Sequence, residues 1–360
     1  FADSETQRLL RDTARSYLAA KFPWERLLEL ESTGGALTDA ELAGFAERGW
    51  FGLVAPESAG GGGLSLLEAA VVVEELGYAG VPSPVATSVV AGYLLSQAGD
   101  QHDALAGIAS GERLYTISEA SRRRSDSEPV TIAGGRIDGI VRQAPFAAIS
   151  HAVLTSATVD GVPAFVALPL AGARLEPVEL LDRGGYANLH YEDAPAEGHT
   201  VLATGERAEA LHEQCDALST ALTLVAQAGT MQRILEMTTE YISQRVQFGQ
   251  PVGKFQAARH RAAEIFMYAD TTRWAAYHAL DRFQADPADT SEIWLAKHWA
   301  TRAVERIFVD THMLHGGVGA NMEYPLHLLT QALTADAVRG GTMDELVART
   351  IESLELAQGR

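Results

Sequence analysis

From Leu211 onward the chain holds one apolar face for many turns. Leu211, Cys215, Leu218, Leu222, Val225 and Gly229 recur at helical spacing, and the pattern runs to Arg245. At about 1.5 Å per residue this is roughly 50 Å of helix. A break at Phe248-Gly249-Gln250-Pro251 precedes a second long helix, from about Phe255 to Phe283. Asp286-Pro287 marks the next turn, a third helix runs from about Ser291 to Leu314, and Gly316-Gly317 ends it. Thr342 with Glu345, at capping-box spacing, opens the last helix. Residues 204–360 are therefore expected to form a bundle.

The rest of the chain has two textures. Residues 1–112 read as helical: Ser4 with Gln7, Thr38 with Glu41, and Ser65 with Glu68 match the spacing that satisfies the first free amides of a helix. The run Gly60–Gly63 precedes a segment from Leu64 to Leu76 that is apolar nearly all round, so burial is expected there. Residues 113–203 are β-rich, with short segments at Leu114–Ile117, Val130–Ile132, Ala152–Leu154, Phe165–Leu168 and Leu189–Tyr191. Turn signals at Gly134-Gly135, Asp160-Gly161 and Gly184-Gly185 separate them, and no helix-length crossover intervenes, so an antiparallel barrel or sandwich is expected. The class is α+β: a helical region, a β domain, and a long-helix bundle.

Charge narrows the function. A net charge of −19 argues against nucleic acid and against an anionic membrane surface as partners. No apolar run approaches the ~20 residues of a membrane span. The polar N-terminus shows no signal peptide, and the single Cys215 fits a reducing compartment, so a cytoplasmic location is expected. Cys215 lies on the apolar stripe and is read as a core residue.

Gly60–Gly63 lacks the Lys-Ser/Thr of a phosphate loop, and Gly316-Gly317-Val318-Gly319 lies between helices, so neither supports a nucleotide fold of the Rossmann type. No nucleophile elbow is present. His312 and His315, with His298 and Glu305 nearby, admit a metal site, but packed or solvent-facing histidines suit the spacing better and no metal is expected. Arg245 offers a planar charged fork suited to a pyrophosphate, or a cation at a helix C-terminus. Arg122-Arg123-Arg124 reads as a solvated loop or as a contact to CoA phosphates.

Three stretches resemble the acyl-CoA dehydrogenase family. They are Tyr241 to Gln256 (YISQRVQFGQPVGKFQ), Val54-Ala55-Pro56-Glu57 with Gly60–Gly63 and then Glu74-Glu75-Leu76-Gly77, and His315 to Gly319 followed by Glu323-Tyr324-Pro325-Leu326. The resemblance covers nearly the whole chain. It implies an N-terminal helical domain (1–112), a middle β-barrel (113–203) and a C-terminal four-helix bundle (204–360), with FAD between barrel and bundle across a subunit interface. It assigns Arg245, Gln247, Phe248 and Gln256 to the FAD of a neighbouring subunit. Gly316, Gly317 and Gly319 would approach its ADP portion, and Ser118 a flavin edge. The implied reaction is α,β-dehydrogenation of an acyl-CoA thioester, with a carboxylate as the base and an electron-transfer flavoprotein as the acceptor.

The sequence departs from the family where the base belongs. Gly340 stands where many members carry a glutamate, and Ser219 occupies the alternative position on the first bundle helix. Asp216, one turn away, is the remaining candidate. Ser118-Glu119-Ala120 replaces the usual Thr-Glu-Pro, Arg142 to Phe146 keeps little of the second flavin-facing stretch, and Met313 replaces a common glutamine. The residues lent to a neighbour are kept while those of the chain's own site are weakened. This resembles the base-lacking subunit of hetero-oligomeric acyl-CoA dehydrogenases of actinobacterial steroid side-chain breakdown. A self-sufficient homo-oligomeric enzyme using Asp216, or a family-fold protein with other acyl-thioester chemistry, stays open.

Overall fold

A computed structural model describes residues 3–118, 130–339 and 341–358. Six helices come first: α1 (Glu5–Lys21), α2 (Trp24–Ser32), α3 (Asp39–Ala46), α4 (Leu66–Ala79), α5 (Val85–Ser96) and α6 (His102–Ser110). Eight strands follow: β1 (Tyr115–Ile117), β2 (Val130–Ala133), β3 (Arg136–Ala144), β4 (Ala152–Val159), β5 (Val162–Pro169), β6 (Arg174–Val178), β7 (Tyr186–Pro195) and β8 (Thr200–Thr204). Then come α7 (Glu206–Gln244), the hairpin β9 (Val246–Gln247) and β10 (Gln250–Pro251), α8 (Gln256–Ala285), α9 (Ser291–His315), α10 (Leu326–Val338) and α11 (Met343–Gln358). The chain divides into two compact units, one of residues 1–33, 70–82 and 220–360, the other of 34–69 and 83–219.

The expected caps are in place. Ser4 and Gln7 form a reciprocal capping box on α1, and Thr38 and Glu41 do so on α3. The Ser65 backbone amide and hydroxyl both donate to Glu68 at 2.8 Å ahead of α4, and Thr342 and Glu345 cap α11. Each satisfies amides that the first turn of a helix leaves without partners.

In the unit that contains the sheet, the strand order is β6-β7-β3-β2-β4-β5-β8, with β1 also on β4. Among the described residues the sheet does not close into a barrel, and it is not purely antiparallel. β1 pairs with β4 at 152–154 and β2 pairs with it at 157–159, both parallel. The reason is topological. The hairpin strand β3 carries the chain back past the start of β2, so β4 runs in the direction of β2, beside β1 over its first residues and beside β2 over its last. The local turn signals behave as expected: Gly134 and Gly135, and Asp160 and Gly161, have positive φ in two-residue hairpin turns. Ile137, Val153, Val166, Leu189 and Tyr191 supply the buried face.

The other unit is the bundle, with a core that includes Met231, Ile234, Ile265, Ile307 and Leu329, all fully buried. Here α4 meets α7 at a close backbone contact. A Cβ on Gly77 would lie 2.1 Å from the Ala226 carbonyl oxygen, and one on Gly229 would lie 2.0 Å from that of Glu74. Two glycines facing one another let the helices approach more closely than any side chain permits. Glu74 and Glu75 of α4 are buried, and arginines from α1 and α8 neutralise them.

Candidate functional site

The motif at Arg245 folds as a helix end followed by a tight hairpin. The Arg245 amide still donates to the Tyr241 carbonyl at 2.8 Å, and the Val252 amide closes the hairpin by donating to the Arg245 carbonyl at 2.8 Å. Gln247 pairs with Gln250 and Val246 with Pro251, leaving Phe248 and Gly249 as the turn. Their φ values are 52° and 80°. Positive φ at both positions matches the twist of a two-residue hairpin. Glycine adopts it freely, whereas Phe248 bears a cost of about 1 kcal/mol. That strained residue points its ring into solvent: it is 93% exposed, with Phe255 edge-on at 6.1 Å. Arg245, Gln247 and Gln256 are exposed as well, and Arg245 forms no ion pair among the described residues.

The second glycine motif begins where α9 ends. Gly316 has φ 57° and ψ −139°, a conformation closed to L side chains. Gly316 and Gly317 are exposed, and a Cβ on either would meet nothing within 4 Å. Gly319 differs. It is buried, and a Cβ there would sit 3.0 Å from the His315 Cβ and 3.2 Å from His312 Nδ1.

The ends of α7 and α9 are tied together by Tyr241 and His315, whose rings stack at 4.6 Å. One level further in, the Thr238 and Thr311 hydroxyls share a 2.6 Å hydrogen bond. The turns at Arg245 and Gly316 therefore leave neighbouring helix ends. His315 is buried, and its Nδ1–H donates to the Thr311 carbonyl at 2.8 Å. That leaves Nε2 to accept from the Tyr324 hydroxyl at 3.3 Å. Burial pushes the His315 pKa down, against the Thr311 bond and aided by His312. Burial likewise lowers that of His312, which packs on Phe308. Both members of the H-x-x-H pair thus do packing work. Among the described residues no group of three or more His, Cys, Asp or Glu is arranged to hold a metal.

The remaining candidates belong to the unit that contains the sheet. The Ser118 amide donates to Leu154 at 3.3 Å, and its hydroxyl lies 3.4 Å from the Arg142 carbonyl. Gln143 and Phe146, in the divergent stretch, both have φ 52°. On α7, the Ser219 hydroxyl donates back to the Cys215 carbonyl at 2.6 Å, and Cys215 is buried. Asp216 Oδ2 lies 3.7 Å from His212 Nε2, both side chains being mostly buried. Sequence reasoning missed His212, although its i, i+4 spacing to Asp216 was there to be read. It also missed Tyr241 as the partner of His315. Glu119, Ala120, Arg122–Arg124 and Gly340 lie outside the described residues.

A long always-charged side chain, an upturned aromatic ring and an open glycine backbone form a donor set suited to a pyrophosphate linked to a planar ring. The acyl-CoA dehydrogenase N-terminal domain matches residues 4–112, and the acyl-CoA dehydrogenase C-terminal domain matches 218–353. The chain belongs to the acyl-CoA dehydrogenase family, whose members are FAD-dependent oxidoreductases. It is similar to acyl-CoA dehydrogenase IpdE2 of Mycobacterium tuberculosis, at 29% identity over 90% of this chain and 89% of that one. FadE28 of the same organism is 25% identical over 91% of each. A chain of the ChsE4-ChsE5 complex from Mycobacterium tuberculosis superposes with a TM-score of 0.89 at 24% identity, covering 98% of both. No described helix is long and apolar enough to cross a membrane.

Proposed function

We propose that this chain is a subunit of a hetero-oligomeric acyl-CoA dehydrogenase that lends Arg245, Gln247, Phe248 and Gln256 to the FAD of a partner and supplies no base of its own. The observation that carries this reading is the Arg245–Phe248 hairpin, in which a strained aromatic and a cation without an ion-pair partner among the described residues face outward. Internally the arrangement gains only the edge-on contact with Phe255 and a cation at the end of α7. A bound dinucleotide would cover the ring and neutralise the guanidinium. Gly316 and Gly317 would let its backbone approach, Gly319 serving the packing behind them. FAD held there would supply the acceptor for a hydride from the β-carbon of an acyl thioester, and this chain's residues would anchor and orient it.

The base positions support the same reading. Ser219 is not a carboxylate, and its hydroxyl is engaged within the helix. Gly340 carries no side chain. The Mycobacterium complex to a chain of which this one is similar is named for two proteins, ChsE4 and ChsE5, and another similar structure is the Tcur3481-Tcur3483 steroid acyl-CoA dehydrogenase. A steroid-derived acyl-CoA as substrate accords with the second of these neighbours, and an electron-transfer flavoprotein is the acceptor that this reading adds. Purified alone, the chain should lack stoichiometric FAD and show no acyl-CoA-dependent bleaching. Stoichiometric FAD that bleaches with substrate would overturn the proposal.

One observation favours a second reading, a self-sufficient enzyme: Asp216 is a mostly buried carboxylate beside His212. In that case Asp216→Asn abolishes turnover and leaves flavin bound. Under the preferred reading it leaves the activity of the reconstituted complex unchanged.

A further inference from the structure

Within the unit that contains the bundle, α1, α2, α4 and α7 leave a cavity of about 460 Å³ between them. That is inside the range of roughly 300–1,000 Å³ found for small-molecule sites. Its apolar lining includes Leu18, Phe22 and Leu27, all almost wholly buried. Its polar lining includes Trp24 at the start of α2, Tyr78 near the end of α4, and Arg233 of α7. Arg233 stands a little over three turns before Arg245, about 18 Å along the helix, so the cavity is separate from the hairpin at the helix end.

The charges around this cavity are not equally committed. Arg15 gives Glu75 two hydrogen bonds, at 2.7 and 3.0 Å, and its guanidinium lies 4.0 Å from the centre of the Tyr78 ring. The two oxygens of Glu236 accept from the Tyr78 hydroxyl and from the Gln232 amide. Arg233 is held differently. Its guanidinium lies 5.0 Å from the centre of the Trp24 ring and 5.4 Å from that of Tyr78. The Glu236 carboxylate is 4.0 Å away, and the hydrogen bond from Nη1 to the Tyr78 hydroxyl is long at 3.4 Å. Aromatic rings fix a guanidinium in place without consuming the N–H groups of its fork. Nε and Nη2 of Arg233 meet no acceptor among the described residues, and neither does the Trp24 indole N–H. Glu25, the remaining carboxylate of the lining, is exposed to solvent. The groups left to meet a ligand are therefore donors beside an apolar wall. A wholly apolar ligand would strip water from the fork and leave it unpaired. A carboxylate would take the fork with both oxygens.

We infer that this cavity binds a free monocarboxylate with an apolar body, the carboxylate on Arg233 and the Trp24 indole N–H, the body against Leu18, Phe22 and Leu27. The site is independent of the hetero-oligomeric reading above and of the flavin. Naphthoate and decanoate serve as a flat and a linear probe, and naphthamide as a flat probe without the charge. In calorimetric titration of the full chain, at least one of the two acids should bind with a Kd below about 1 mM, and the amide should bind far more weakly. Arg233→Gln should weaken binding of the acid by about 10- to 100-fold. Trp24→Phe keeps an aromatic face under the guanidinium and removes the indole N–H. It should weaken binding several-fold at an unchanged melting temperature, and it decides the matter if Arg233→Gln fails to fold. A carboxylate that entered the chain elsewhere would be indifferent to both substitutions. No binding by either acid in that range, equal affinity for naphthoate and naphthamide, or an affinity unchanged by either substitution would overturn the inference.

Discussion

Tyr241 and His315 stack at 4.6 Å with their planes 23° apart, joining the last turns of α7 and α9 directly behind Arg245 and Gly316. The stack requires a neutral imidazole, because its Nε2 accepts from Tyr324 and its surroundings are buried. The His315 pKa lies below its ordinary value of about 6.5. The unfolded chain therefore takes up the proton first. Stability is full above about pH 7 and declines as pH falls through about 6.5 towards the lowered folded value. Urea midpoints measured from about pH 8 to 5.5 should show this decline, and His315→Gln should flatten it. An unchanged slope in the variant would assign the decline to other groups, His312 first.

Arg245→Ala tests the hairpin as a ligand-binding device. Arg245 is exposed and forms no ion pair among the described residues, so melting temperature should not move. Losing a charge-assisted contact to a phosphate costs about 2–3 kcal/mol, roughly 30- to 150-fold in affinity. FAD retained by the reconstituted complex, measured by absorbance after dialysis, should fall accordingly. Full retention would show that Arg245 serves only the helix terminus.

Phe248→Gly separates strain from function. Glycine relieves the positive-φ cost of about 1 kcal/mol but adds about 0.5–1 kcal/mol of chain entropy to the unfolded state. The two nearly cancel, so thermal stability of the isolated chain should hardly change. FAD binding by the complex should weaken, because the ring exposed at 93% is lost. Equal flavin content in variant and parent would leave the strained ring without a role.

The periodic parts of this fold are legible in the amino-acid sequence alone. Capping boxes, the 39-residue α7 and the glycine turns rest on local chemistry, and local chemistry is written in adjacent residues. Pairings between distant segments are not legible there. The parallel contact of β2 with β4 depends on where β3 returns the chain, and the edge strand β6 carries no buried alternation to announce it. The site divides in the same way. Arg245 and Phe248 can be read from their motif, whereas the Tyr241–His315 stack links residues 74 positions apart that neither periodicity nor spacing connects. The same holds for Glu74 and Glu75, whose arginine partners come from two other helices far away in the sequence.

Gly229→Ala offers a sign test of the α4–α7 crossing. In an open helix the change stabilises by about 1 kcal/mol. Here the added methyl would lie 2.0 Å from the Glu74 carbonyl oxygen, which is backbone and has nowhere to go. The helices must separate, which also strains the hydrogen bond from Thr230 to the Gly77 carbonyl at 2.9 Å. A loss of about 3 kcal/mol is expected from overpacking of this kind. Any stabilisation in denaturant titration would mean that the crossing is looser than described.

Arg11→Met tests how α1 is held. Arg11 reaches Glu74 at 2.9 Å and Glu75 at 2.7 Å, both carboxylates being almost wholly buried. Arg15 also bonds Glu75, while Arg273 and the Tyr277 hydroxyl hold Glu74. Removing Arg11 leaves two adjacent buried charges sharing fewer partners, a situation that costs about 3 kcal/mol or more. An exposed ion pair would contribute under 1 kcal/mol and vanish in salt. The network is sheltered, so the loss should persist at high ionic strength. Denaturation of parent and variant in low and high salt distinguishes the cases: a small, salt-sensitive difference would place Arg11 on the surface rather than at the joint between α1 and the bundle.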